Sequence, residues 1–153
     1  DRIIEVITDA INTTNISPKF IELELTESVI MQNVDRTIEI FKKFKSMGIS
    51  ISIDDFGTGY SSLSYLKEFP IDKLKIDQSF ISNITNHQSD DANIANLVID
   101  LGHKLGLEVI AEGVETQDQI DFLKKYACDQ IQGFILSKPL EIDKFEELLK
   151  KTI

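Results

Sequence analysis

Residues 49–63 read Ile49-Ser50-Ile51-Ser52-Ile53-Asp54-Asp55-Phe56-Gly57-Thr58-Gly59-Tyr60-Ser61-Ser62-Leu63, and this stretch organises the chain. Ile49, Ile51 and Ile53 alternate with Ser50 and Ser52, which predicts a short strand with one face in apolar packing. The run ends in two adjacent carboxylates, Asp54 and Asp55. Gly57 and Gly59 then break regular structure, and Ser61 or Ser62 is placed to cap a following helix. Adjacent acids repel, and each raises the other's pKa unless a cation lies between them. The carboxyl end of a strand is also where α/β proteins place their chemistry. For an isolated Asp-Asp-x-Gly, a polar turn facing water would be the plainer reading. The flanking sequence decides against it.

Working outward, the same grammar recurs. Ile3, Ile4, Ile7 and Ile11 predict an amphipathic helix over residues 2–14, and Pro18 closes the connection to a strand at residues 20–25. In that strand Leu23 and Leu25 share the face opposite Glu22 and Glu24. Val34, Ile38, Phe41 and Phe44 mark a second helix, ended by Gly48. Beyond the central strand, a short helix around Leu63 and Leu66 stops before Pro70. A strand at residues 73–77 follows, with Leu74 and Ile76 on one face and Lys75 on the other. Residues 82–92 are polar and read as a mobile loop. Ile94, Leu97, Val98, Leu101 and Leu105 predict a helix capped by Gly106, and residues 108–111 predict a strand. Thr116 caps a helix bearing Ile120 and Leu123, residues 129–134 predict the last strand, and Ile142, Phe145, Leu148 and Leu149 a final helix. No internal repeat, low-complexity tract or linker interrupts this order.

Strand–helix alternation implies a parallel sheet, covered on both faces or closed into a barrel. Each predicted strand ends in polar residues: Glu24, then Asp54 with Asp55, Lys75, Glu112 and Gln132. Right-handed crossovers bring those ends to one side of the sheet. Residues far apart in sequence thus converge on one rim.

Composition narrows the chemistry. The 153 residues make one domain or a large part of one, and 42% hydrophobic and 27% charged side chains are the balance of a soluble globular sequence. Neither a membrane-spanning run nor a signal peptide is visible. The first residue is Asp1, so the sequence reads as starting inside a longer protein. A single cysteine, Cys128, excludes an internal disulfide and a cysteine-cluster zinc site, and reads as a small packing residue. His87 and His103 lack metal-ligand spacing and read as structural or solvated. A formal charge of −10 argues against nonspecific nucleic-acid binding. It still permits an anionic phosphate ligand if divalent cations lie between.

Glu24, Asp54 and Asp55 offer hard oxygen donors, a set that favours Mg²⁺ or Mn²⁺ over zinc or copper. Two such ions about 3.5–4 Å apart clamp a phosphodiester and lower the pKa of a bridging water. Lys75 then orients that water or binds phosphate, or simply pairs with one of the acids.

The motifs Glu24-Leu-Thr-Glu27-Ser, Asp54-Asp-Phe-Gly-Thr-Gly-Tyr-Ser-Ser-Leu63, Lys75-Ile-Asp77, Glu112-Gly-Val-Glu115-Thr and Gln132-Gly-Phe-Ile-Leu-Ser-Lys-Pro139 occur in the order and spacing of the EAL domain. The chain resembles the cyclic di-GMP phosphodiesterases of bacterial signalling from its first helix to its last. That resemblance implies a triosephosphate-isomerase-like (β/α) barrel of the EAL type that hydrolyses cyclic di-GMP to linear pGpG with two Mg²⁺ or Mn²⁺ ions and is inhibited by Ca²⁺. By motif, Glu24, Asp54 and Asp55 match metal ligands, with Asp54 bridging both ions. Lys75 matches the lysine that positions the attacking water. Glu112 matches a glutamate at the metal centre, as ligand or base. Glu115 and Gln132 match residues of the substrate or water network. Glu27 matches the glutamate that pins the loop 56–62, which in the family couples dimerisation to metal binding. A homodimer through that loop and a cytoplasmic location are implied, with no DNA or membrane contact.

The family's barrel opens with strands carrying the Glu-Ala-Leu signature, a phosphate-binding arginine and an asparagine ligand, and none of these is in the 153 residues. Five strands cannot close an eight-stranded barrel. The chain is therefore expected to be the C-terminal portion of a single EAL domain, truncated to about five parallel strands, inactive alone and open to edge pairing. Two rivals follow. A non-catalytic EAL-type sensor of cyclic di-GMP would be marked by a lost metal ligand or lysine, and every inspected position is intact. A phosphoacceptor receiver domain would need an Asp where Glu112 stands, and would not have a helix and an acid-ended strand before the acidic pair.

Overall fold

Side chains that satisfy orphan backbone groups fix where the helices start. Asn33, Ser89 and Thr116 each accept a hydrogen bond from the backbone N–H three residues on, and Gln119 returns the bond to Thr116 in a capping box. The computed structural model describes residues 2–59, 63–84 and 89–152. The expected cap at Ser61 or Ser62, His87, and residues 85–88 of the polar loop lie outside the described residues.

The chain runs α1 (Arg2–Thr14), a 3-10 turn (Pro18–Phe20), β1 (Glu22–Thr26), α2 (Glu27–Ile30), α3 (Val34–Ser46), β2 (Ser50–Phe56), α4 (Leu63–Leu66), β3 (Lys73–Ile76), α5 (Gln78–Ile81), α6 (Asp90–Lys104), β4 (Glu108–Ala111), α7 (Gln117–Lys125), β5 (Gln130–Ile131) and α8 (Ile142–Thr152). The five strands form one parallel sheet in the order β1-β2-β3-β4-β5. A doubly wound receiver sheet would reverse its order at a switch point. Strictly sequential parallel order is the winding of a (β/α) barrel wall, with each right-handed crossover stepping the same way.

One face of the sheet is apolar and dry. Ile51, Ile53, Leu74, Ile76, Val109 and Ala111 are all at most 2% exposed, and they share a core with Phe41 and Phe44 of α3, Val98 and Ile99 of α6, and Phe122 and Leu123 of α7. The other face is polar yet also covered at its centre: Ser52 is 0% and Lys75 3% exposed. The alternation in residues 49–53 puts one face in apolar packing, as the sequence predicts, and the opposite face is covered as well at Ser52. It separates an apolar layer from a polar interior.

Four local expectations differ from the structure. The first strand starts at Glu22, because Pro18 seeds a 3-10 turn that carries Phe20 to the surface. The last strand shortens to Gln130–Ile131: Gln132 still donates to Ala111, but its carbonyl accepts from Val114 in the rim turn and the ladder ends there. The buried face of α6 is Ala92, Ala95, Val98, Ile99 and Gly102, while Leu97 is 66% exposed. A Cβ at position 102 would lie 2.4 Å from Val109 Cγ2, so closeness to β4 selects small residues over the apolar stripe. Finally, the one-turn helices α2 and α5 have no periodicity to betray them.

Two aspartates brace the strand starts in the same way. Asp72 accepts from Ile51 N–H and from Lys45 in the last turn of α3. Asp129 accepts from Val109 N–H at 2.8 Å and pairs with His103 in the last turn of α6. Burial alone would raise the Asp129 pKa, but the Val109 and His103 bonds outweigh it and hold the carboxyl below its ordinary value. Its contribution is thus present above the ordinary carboxylate pKa and is lost as pH falls through the depressed one. Asp129→Asn is expected to cost about 1 kcal/mol at neutral pH, discounted for partial exposure, with the deficit vanishing under acid conditions in urea titrations read by circular dichroism.

Candidate metal centre and substrate cleft

Lys75 stands at the middle of the polar face, and its ammonium meets three carboxylates. Nζ lies 2.9 Å from Glu24 Oε2 on β1, 3.1 Å from Asp54 Oδ1 on β2 and 2.7 Å from Glu112 Oε1 just beyond β4. The lysine side chain is 3% exposed. Burial pushes its pKa down, but the bonds to Glu112, Glu24 and Asp54 more than reverse this and raise it well above the ordinary value. The three carboxylates thus favour the ammonium form.

Asp54, Asp55 and Glu112 offer carboxylate oxygens that all lie within 4.8 Å of one another. Consecutive residues on a regular strand point to opposite faces. Here the β2–β3 register shifts between Ile53 and Phe56, and Asp55 takes a left-handed φ of 53°. That irregularity turns both side chains into one cluster. Aspartate tolerates the conformation better than most residues, and strain of this kind concentrates at functional sites. Burial raises the Asp55 pKa first, then the charge of Asp54 and a hydrogen bond with Asp77. An all-oxygen donor set this tight suits a hard divalent ion.

The rim opens into a cleft of about 780 Å³, with Asp55, Asp77, Gln78, Glu112, Glu115 and Gln132 on its polar side. Phe134, Lys138, Phe145 and Leu148 line its other side. Of the residues read from sequence, Glu24, Asp54 and Glu112 meet through Lys75, Asp55 clusters with Asp54 and Glu112, and Glu115 and Gln132 join them around the cleft. Glu24 stands half-exposed outside the tight three-acid cluster. Asp77 and Gln78 were not singled out as site residues. Asp77 belongs to the Lys75-Ile-Asp77 motif, but it caps α5 through Ser79 N–H, a role invisible without that helix. Burial would raise its pKa, yet the bonds from Ser79 and Asp55 lower it.

Glu27 does not reach the cluster. It is 4% exposed, and its Oε2 accepts from Gly57 N–H at 3.3 Å. A Cβ on Gly59 would come within 2.7 Å of Glu27 Oε1, so the loop closes over the carboxylate only because position 59 has no side chain. Residues 60–62 of that loop lie outside the described residues. Cys128, raised by burial to about 11, donates to the Val109 and Gln130 carbonyls and packs as an inert thiol.

A family profile for the EAL domain matches residues 1–139. The chain belongs to the EAL family. It is 43% identical over 148 residues to the cyclic di-GMP phosphodiesterase NbdA of Pseudomonas aeruginosa, covering 97% of this chain and 19% of that protein. The curated relatives NbdA, YkoW and MucR are covered over only 18–20% of their lengths. Among solved structures, the EAL chain superimposes on the MucR phosphodiesterase in complex with c-di-GMP at a TM-score of 0.88 and 43% identity, covering 93% of this chain and 57% of that one. It matches Klebsiella pneumoniae BlrP1, solved with manganese and cyclic di-GMP, at a TM-score of 0.80 and 32% identity, covering 89% and 34%. The five parallel strands with flanking helices are thus an EAL-type TIM-like α/β fold.

The Glu27 contact generates a prediction. Glu27→Ala is expected to speed amide exchange at Gly57 by about tenfold or more, because the N–H loses its buried acceptor. Hydrogen–deuterium exchange read at Gly57 and Thr58 checks it; unchanged protection would dissociate Glu27 from the loop.

Proposed function

We propose that this EAL chain carries the metal-binding and water-positioning wall of a cyclic di-GMP phosphodiesterase that yields linear pGpG. The observation that carries the reading is Lys75, buried and bonded to acids from β1, β2 and the end of β4, beside three carboxylates clustered tightly enough to share a cation. Membership of the EAL family and the c-di-GMP and manganese bound by the named relatives support the substrate and metal class.

Asp54, Asp55 and Glu112 would hold Mg²⁺ or Mn²⁺, with Glu24 completing the ligand set from β1. When bound, two such ions supply Lewis-acid stabilisation of the phosphodiester and a lower pKa for the attacking water. Lys75 fixes that water and offsets charge on the phosphate oxygens; Glu112 stands beside it as ligand or base. Glu115 and Gln132 orient substrate and solvent from the cleft wall. Water oxygen adds to phosphorus, one P–O3′ bond opens, and the proton leaves with the 3′ oxygen, giving a linear product. Glu27 holds the loop 56–62, through which we infer a homodimer. From family membership we infer a cytoplasmic setting. Among the described residues no helix is long and apolar enough to cross a membrane.

We further infer that this is the C-terminal portion of one EAL domain and is inactive alone. Among the described residues β1 and β5 each lack a partner on one side, and the flanking Phe20 and Phe134 are 72% and 55% exposed. Strands pairing with both edges would bury these groups and close the wall.

In the complete EAL domain, Lys75→Ala is expected to slow hydrolysis of cyclic di-GMP by about 10² or more while substrate still binds. Steady-state kinetics paired with calorimetric binding tests it; wild-type turnover would remove Lys75 from the mechanism. Asp54→Asn is expected to abolish Mg²⁺- or Mn²⁺-dependent activity, and an unaltered metal titration would refute its assignment as ligand.

A further inference from the structure

The Lys75 ammonium has only three N–H groups, and the three short contacts to Glu24, Asp54 and Glu112 use them all. Asp54 and Glu112 are also two of the three acids whose oxygens cluster for a cation. Ammonium and divalent ion therefore draw on the same carboxylates. Two cations held that closely repel strongly in a partly buried setting. With Lys75 3% exposed, solvent cannot freely accept whatever N–H group is displaced.

The same polar face holds a buried hydroxyl that nothing engages among the described residues. Ser52 lies on β2 two residues before Asp54, and its Cα is in register with Lys73, two residues before Lys75 on β3. It is 0% exposed, and its hydroxyl has no hydrogen-bond partner. The other buried oxygen in this condition among the described residues, Glu27 Oε1, belongs to the loop contact. An orphaned buried hydroxyl is a standing cost unless some state of the site uses it.

We propose that Lys75 is the centre's resident counter-cation, competing with divalent metal for Asp54 and Glu112, and that Ser52 accepts the N–H that metal displaces. The lysine thereby sets how tightly the centre takes its metal, a role separate from orienting water. This rests on the metal-centre reading above. Without the ammonium, the acids repel one another and attract a divalent ion more strongly. A lysine that only served catalysis would leave metal affinity unchanged.

The test is Mn²⁺ titration by calorimetry in the complete EAL domain, without nucleotide, at fixed pH and ionic strength. Lys75→Met, which keeps the bulk and removes the charge, is expected to bind Mn²⁺ at least about tenfold more tightly. Lys75→Arg, which keeps the charge, is expected to stay within about threefold of wild type. Ser52→Ala is expected to weaken Mn²⁺ binding about threefold in the wild-type background and to have no effect beside Lys75→Met. Unchanged or weaker binding in a folded Lys75→Met variant overturns the competition. An equal Ser52→Ala effect in both backgrounds overturns the acceptor role. Mn²⁺ binding that survives Asp54→Asn overturns the metal-centre reading instead, so the two failures are distinct.

Discussion

A buried ammonium must be surrounded by charge that answers it, and this requirement ties the EAL wall together. Lys75 reaches acids on β1, on β2 and just beyond β4 along the sheet's polar face. Taking the ammonium out of water is costly, and its attraction to the acids repays it only where geometry is good and donors and acceptors are matched. Each of those acids is delivered by a different βα unit. The pairing of β1, β2, β3 and β4 in register is therefore a condition for the cluster, and the cluster in turn disfavours any slipped register.

The polar face has a second tier that follows the same logic. Lys73 Nζ lies 2.7 Å from Glu22 and 4.0 Å from Glu108, and Gln130 donates to Glu108. Two acid–lysine–acid ladders thus stack along the sheet, one near the strand starts and one at the functional rim. The lower tier sets one lysine between two glutamates. The upper tier differs by the extra acids Asp54 and Asp55, and it is this excess of negative charge that makes a rim able to take cations.

Placement of those extra acids depends on a backbone fault. A regular strand would have sent Asp54 and Asp55 to opposite faces, one toward the polar interior and one toward the helices. The shifted register and the positive φ at Asp55 put both on the polar side, where Glu112 meets them. Glu27 then anchors the chain that leaves the fault through Gly57, so the irregular segment is held at its exit by a buried carboxylate. Strain at the acids and restraint on the loop are parts of one arrangement.

The sequence by itself determined the βα order, the five parallel strands, the cap at Thr116, and the polar residues at the strand ends. Those features are local: alternation, helical spacing and capping chemistry are properties of neighbouring residues. Motif order also carried the family, since each signature sits at a strand's end. Tertiary structure alone decided the rest. Only packing against β4 made Gly102 and Ala95 the buried side of α6 in place of Leu97. Only the rim turn cut the last strand to two residues. That Lys75 would bond three acids at once, and that Ser52 would be sealed without a partner, depends on distances across strands that no single segment encodes.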